Sequence, residues 1–463
     1  MTNMKGAPSM GILILAAGQG TRMVSDVPKV LHPISGRPML AYLLRLANAL
    51  KPAGVGVVVG HQEERVRKEV QESAKLWNLT RPITFIRQKR QTGSGAAVIE
   101  SLPFLKKFQT AVVMCGDAPL LTFETLYALT GLHTREKSQV TLLTARVPHP
   151  KGYGRIVRTP SGEVLRIVEE AHTSGKEALI NEVNSGTYCF ETELLVSALK
   201  ELKPQGPKKE RYLTDALESI RRKGGRLLAH VTPNSDEIIG INTRLQLAQA
   251  ERVVNRRNVD RLMLSGVTIV DPAHTYVDCD VEVGQDSVLM PGVILRGKTQ
   301  IGRQCHLGPY TFIEDSSIGN ESVVSFSQVR GARILEKCNI GPFANIRPES
   351  VLGPRAKVGN FSEVKASKIG FGSKVPHLSY IGDSELAEDV NIGAGTITCN
   401  YDGVQKHKTI IGARAFIGSN VNLVAPVKVG RDAKIGAGST ITEDVPEGVL
   451  AIARAQQVNK VRK

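Results

Sequence analysis

Aromatic side chains are scarce in this chain: one Trp, nine Tyr and eleven Phe among 463 residues. The formal net charge of +16 invites a polyanion as partner. Yet the Lys and Arg are dispersed, and no aromatic platform is interleaved with them on which bases would stack. No nucleic-acid partner is therefore expected, and small anionic substrates fit the charge better. Long apolar runs are missing too. The run "GILILAA" (11–17) is far short of the ~20 residues that span a bilayer and sits at the lower edge of a signal-peptide core. Membrane insertion is not expected. The six cysteines (Cys115, Cys189, Cys279, Cys305, Cys338, Cys399) show neither paired metal-ligand spacing nor the density of a disulfide scaffold. Reduced thiols in a cytoplasm fit them best.

What is present divides into two textures. Up to about residue 240, short β-branched runs ("GILILAA", "GVGVVVG", "TAVVMCGD", "VTLLTARV") alternate with helical patterns such as "PMLAYLLRLANAL" and "EERVRKEVQESAKLW". That pattern predicts a doubly wound α/β domain over 1–241, with ligands at the carboxyl ends of its strands. Residues 242–265 read as one connecting helix with Asn242 as N-cap. Beyond it, fourteen Val, Ile or Leu residues between Val283 and Ile435 are followed by Gly, and eight of the thirteen gaps between them are multiples of six. Chance would give about one in six, so a parallel β-helix of hexapeptide repeats is expected over 266–450. "GTITCNYDGVQKHKTIIG" (395–412) breaks the period and is expected to project as a loop. A basic tail, 451–463, follows.

The stretch "LAAGQGTRMVSDVPK" (15–29) raises the chemical question. A glycine-rich turn after an apolar run suggests a phosphate, but this one lacks both the Gly-Lys-Ser/Thr ending and the third glycine of the dinucleotide fingerprint, where Met23 stands. Backbone N–H groups of Ala17 to Gly20 suit phosphate oxygens, with Arg22 and Lys29 as cations. Asp117 ends a strand, where a carboxylate suits either a metal between phosphates or a turn. His377 taken alone reads as a solvent-facing turn residue.

"LAAGQGTRM" with Lys29, "GYGRIVR", "EVNSGTY", "GPFANIRP", "GNFSEVK", "HLSYIGD" and "NIGAGTITCNYDG" together resemble the bifunctional bacterial N-acetylglucosamine-1-phosphate uridyltransferase and glucosamine-1-phosphate acetyltransferase family over nearly all of 10–454. The resemblance implies a left-handed β-helix, a homotrimer and a product, UDP-N-acetylglucosamine, that feeds cell-wall and lipopolysaccharide synthesis. In the first domain it implies UTP and Mg²⁺. Leu15, Ala16, Ala17, Gly18 and Gly20 would line the nucleotide, Arg22 and Lys29 would neutralise phosphates, and Asp117 and Asn242 would hold the metal. Gln88, Gly93 and Ser94 would read the uracil, and Gly154, Glu169 and Asn184 the sugar. One departure stands out: Cys115 occupies a position that is often Tyr in the family.

In the second domain the resemblance makes His377 the general base for transfer from acetyl-CoA. Arg347, Lys365, Tyr380, Asn391 and Lys406 would hold the sugar phosphate. Ala394, Asn400, Tyr401, Ser419, Ala437 and Arg454 would meet acetyl-CoA. The alternatives are a chain with one live site, or a non-catalytic regulatory homologue. The latter would be expected to have lost Arg22, Lys29, Asp117 or His377, all of which are present.

Overall fold

The structure, a computed structural model, describes residues 9–206 and 209–461. The first eight residues of the expected domain 1–241, and the last two of the tail, lie outside the described residues. The chain forms two compact units, Met1–Val253 and Val254–Lys463. Among the described residues no helix is long and apolar enough to cross a membrane.

The first unit is built on a twisted sheet whose central strands are the apolar runs of the sequence. In order across the sheet they are Leu227–Thr232, Val140–Arg146, Glu182–Glu191, Thr110–Cys115, Met10–Leu15, Gly54–Val59 and Ile83–Arg87. All neighbours are parallel except Glu182–Glu191, which runs against both of its own. Ile12, Leu13 and Ile14 are fully buried, as a sheet covered on both faces requires. From Met10–Leu15 the chain first winds to one side, through Gly54–Val59 and Ile83–Arg87, then returns to the other side at Thr110–Cys115. Leu15 and Cys115 are register partners, so the loops after both strands leave the sheet at its switch point, where such folds take ligands.

The helix Arg244–Leu264 corrects one expectation. Its cap is Thr243, not Asn242: Gln246 N donates to Thr243 Oγ1, and Thr243 N donates back to Gln246 Oε1. This reciprocal box satisfies two of the free N–H groups at the helix start. Asn242 is not available for capping because its side-chain oxygen is taken by cations, as described below.

The second unit is a three-sided parallel coil of very short strands, gathered into sheets of 11, 10 and 9 strands. One inward residue per side stacks on its equivalents: Ile346, Val364 and Ile381 form one such column and are fully buried. The architecture is consistent with the left-handed hexapeptide helix expected. Its first coil has an open backbone edge, and the helix closes it with amides. Asn255 Nδ2 donates to Thr275 O while Val277 N donates to Asn255 Oδ1, and Asn258 Nδ2 donates to Val277 O. At the other end the ladder runs past residue 450: Gly436 N donates to Ala451 O and Thr440 N to Ala453 O. The period-breaking segment does project, between the strands Ile397–Cys399 and Thr409–Ile411.

Candidate active sites

In the first unit the loop after Met10–Leu15 is pinned at its start. Ala16 N donates to Val58 O, and Ala17 O accepts from His61 N and from Gln91 Nε2. Gly20 has φ +67°, and a Cβ there would lie 2.5 Å from Lys29 Cβ. Only glycine lets the loop pass so close to Lys29. At Gly18, by contrast, a Cβ would meet nothing within 4 Å. The protein's own packing does not require glycine there.

Four residues scattered over the sequence then meet. Lys29 Nζ lies 2.5 Å from Asp117 Oδ2 and 3.0 Å from Asn242 Oδ1, and Arg22 Nη2 donates to the same Asn242 oxygen at 2.8 Å. The backbone makes this possible: Ile241 N donates to Asp117 O, bringing Asn242 beside the end of the Thr110–Cys115 strand. Next to them the Cys115 thiol donates to Gly186 O at 3.4 Å. Burial and the nearby Asp117 carboxylate push that thiol up to about 12, Lys29 acting the other way.

The expected uracil and sugar residues flank this centre. Gln88 is buried and donates to Gly93 O. Gly93 has φ +96°, and a Cβ there would lie 2.4 Å from Arg211 O. The Ser94 hydroxyl accepts from Leu213 N, the first N–H of the helix Leu213–Arg222. On the other side Asn184 N donates to Gly154 O, and a Cβ on Gly154 would stand 3.6 Å from Glu169 Oε2. The Asn184 amide is fixed at both ends, accepting from Gly186 N and donating to the Tyr188 hydroxyl at 2.7 Å; Thr214 holds Glu169 Oε1 at 2.8 Å. Gln91, Tyr188 and Thr214 were missed by the sequence reading: Gln91 and Thr214 reach their partners from distant segments, and Tyr188 meets Asn184 four residues away on the same strand. A cavity of about 890 Å³ lined by Lys106, Thr110, His133 and Glu191 contains none of these residues and lies at the opposite ends of the strands.

In the second unit the cations line one side of the coil. Arg347 donates to Glu363 Oε1 at 2.8 Å, and Lys365 Nζ lies 3.6 Å from Asp383 Oδ2. Lys406 comes from the projecting loop, whose root residue Asn400 donates to the Asp383 carboxylate that Lys365 faces, and the two lysines perturb each other. The Lys365 ammonium holds Lys406 below the ordinary lysine range, and Arg347 adds to the effect against Asp383. Tyr380 stands beside Glu363 in register, and Asn391 beside Lys374. Asn400 is buried and gives its amide to Asp383, leaving little of its side chain for a ligand.

Around one corner from Tyr380, His377 ends the strand Lys374–His377 and is exposed. Gly395 N donates to His377 O, so His377 stands one coil before Ala394. From there the column continues: Asn420 N donates to Ala394 O, Gly438 N to Ser419 O, and Arg454 Nη1 to Ala437 O. The expected base and three expected acetyl-CoA positions thus occupy one edge of successive coils, with Arg454 fastened at its end. Tyr401 lies in the projecting loop, its hydroxyl donating to Gly403 O.

Comparison with known proteins agrees with both halves. Residues 12–236 match the nucleotidyl transferase family and residues 408–443 the bacterial transferase hexapeptide family of six repeats. A bifunctional protein GlmU from Caldanaerobacter subterraneus subsp. tengcongensis is 49% identical over 97% of this chain and 96% of its own length. The chain belongs to the bifunctional GlmU family. GlmU of Heliobacterium modesticaldum is 48% identical, covering 96% of this chain and 95% of its own. GlmU of Carboxydothermus hydrogenoformans is 46% identical, over 97% and 98%. Among solved structures, a UDP-glucose pyrophosphorylase complexed with UDP-glucose covers 54% of this chain and 99% of its own at 20% identity, with a TM-score of 0.46.

Proposed function

We propose that the chain makes UDP-N-acetylglucosamine in two steps on two sites. Glucosamine-1-phosphate is acetylated from acetyl-CoA on the β-helix, and the product then takes a uridylyl group from UTP in the α/β unit, releasing pyrophosphate. The observation that carries this reading is that one chain of the GlmU family holds both clusters complete. Arg22, Lys29, Asp117 and Asn242 converge in one unit, and His377 heads the Ala394–Ser419–Ala437 column in the other.

Uridylyl transfer needs two anions brought together and their charge neutralised as it shifts to the leaving group. Arg22 and Lys29 supply two cations, and the open face at Gly18 lets phosphate oxygens reach backbone N–H groups. A divalent metal fits here on the structure's own terms: the Asp117 and Asn242 oxygens both converge on the Lys29 ammonium, and Asn242 Oδ1 also accepts from Arg22, so the pair already gathers positive charge. Two hard oxygen donors suit Mg²⁺, which keeps several waters. Held by Asp117 and Asn242, it would supply further neutralisation of the phosphates.

For acetyl transfer, Arg347, Lys365 and Lys406 match a phosphate dianion with three cations. His377 takes the proton from the sugar's 2-amino nitrogen as that nitrogen attacks the thioester carbonyl, and CoA leaves as the thiol. We read the assembly as a homotrimer. Its support is an exposed apolar ladder of Tyr310, Phe326, Phe343 and Phe361 on successive coils, with ring centroids 6.0, 5.6 and 5.1 Å apart. All four sit at the positive-φ corners that recur along the coil, and a row of exposed apolar rings there marks a surface suited to burial by another copy. The free thiols of Cys115, Cys189, Cys305, Cys338 and Cys399 support a cytoplasmic setting.

Mass spectrometry of products from glucosamine-1-phosphate, acetyl-CoA, UTP and Mg²⁺, omitting each in turn, tests the reading. UDP-N-acetylglucosamine should require all four. His377→Ala should lower acetyl transfer about 10²–10⁴-fold and leave uridylyl transfer unchanged; equal loss of both would contradict separate sites.

A further inference from the structure

The loop that carries Lys406 is rooted next to Lys365: Asn400 donates to Asp383 Oδ2, and Lys365 Nζ lies 3.6 Å from the same oxygen, so the two ammonium groups face mutual repulsion. The loop is an exposed excursion from the coil. Tyr401 through Lys406 are all exposed, Val404 is 84% so, and a Cβ on Gly403 would meet nothing within 4 Å. Packing therefore does little to hold Lys406 against that repulsion. Beyond the backbone bridge between Tyr401 and Lys406, what holds the loop is a pair of residues near its two ends. Asp402 Oδ1 accepts from the N–H groups of Val404 and Gln405, both at 2.7 Å, while Asp402 Oδ2 lies 2.7 Å from His407 Nε2. His407 N in turn donates to Asn400 O at 2.8 Å, anchoring the returning strand to the buried Asn400. The N–H groups of Gln405 and Val404, with the His407 ring, hold the Asp402 carboxyl below its ordinary range, as a carboxylate engaged on both oxygens should be.

We propose that Asp402 and His407 form a clasp whose role is to position Lys406 against Lys365, completing the cationic seat for the phosphate of the amino-sugar substrate. They are positioning residues: neither touches the reacting atoms, and their effect passes through Lys406. The proposal rests on the acetyl-transfer reading above.

The test uses the full chain and steady-state acetyl transfer, with uridylyl transfer in the same preparation as the control for folding. Asp402→Ala and His407→Ala should each raise KM for glucosamine-1-phosphate about fivefold to tenfold, with KM for acetyl-CoA and the uridylyl rate within about twofold. His407→Gln, which still presents an N–H to Asp402, should recover most of the loss. In a Lys406→Ala background the clasp substitutions should add no more than about twofold, because the group they position is gone. Equal rises in both KM values, or a clasp effect undiminished without Lys406, would overturn the proposal. A wild-type chain that consumes UTP yet transfers no acetyl group would overturn the reading of the site, and the clasp with it. If Lys406→Ala raises KM but neither clasp substitution does, the clasp alone fails.

Discussion

Arg22 and Asn242 are 220 positions apart and 2.8 Å apart. The first was legible because its motif is local: a glycine turn, then a cation, with Pro28 opening the turn that presents Lys29. Asn242 was legible only through resemblance, and its capping role was misjudged because a cap is decided by what else competes for the side chain. Gln91 left no trace in the sequence, since its hydrogen bond to Ala17 O joins segments 74 residues apart; Tyr188 shares a strand with Asn184, but nothing in the residue pattern says that its hydroxyl meets the Asn184 amide. Cys115 yields a sharp expectation at this scale. With its thiol pushed up to about 12, the thiolate fraction at pH 8 is on the order of 10⁻⁴. Alkylation of Cys115 by iodoacetamide, followed by peptide mass spectrometry, should therefore run about 10³-fold slower than for an ordinary thiol. Labelling at the ordinary rate would mean that the thiol does not sit against Gly186 as described.

The elements themselves were mostly readable, because a buried parallel sheet and a hexapeptide coil each impose a period. Even the off-period gaps have a structural reason. Leu307 and Ile318 are eleven apart rather than twelve, and between their strands Asp315 turns a tighter corner at φ +46°. Unreadable was the use of Asn255 and Asn258 as a false strand at the coil's edge, since Asn in a helix ordinarily signals nothing but polarity. The helix Phe123–Glu136 carries a second concealed conflict. His133 lies in its last turn, where a positive charge gains about 1 kcal/mol from the helix dipole. Burial prevails, lowering the ring to about 4. The folded state therefore keeps His133 neutral while the unfolded chain protonates it near its ordinary 6.5. This contribution is constant above pH 6.5, declines as pH falls, and levels off below about 4, by on the order of 2 kcal/mol. Urea midpoints of the α/β unit between pH 7 and pH 4.5 should show the decline, and His133→Gln should flatten it.

At the scale of the whole molecule the change of period near residue 240 gave away two units, but nothing in a hexapeptide count shows that four of its corners carry a row of aromatic rings. If those rings meet other copies, Phe343→Glu should shift the mass measured by light scattering from trimer to monomer. It should cut acetyl transfer while sparing uridylyl transfer; a trimer that survives would move the interface elsewhere. The ladder's axis has a mechanical consequence as well. In this coil the backbone hydrogen bonds point along its length, so each turn is held only by the turn before it. The amides of Asn255 and Asn258 seal the first turn, whereas the last strand, Leu450–Ala451, has a partner on one side only. Pulled by its C-terminus against a fixed N-terminus, the coil should unzip from that end, one turn per event. A turn such as Asn345 to Glu363, 18 residues, would release about 60 Å of chain, and a force trace would read the repeats in reverse.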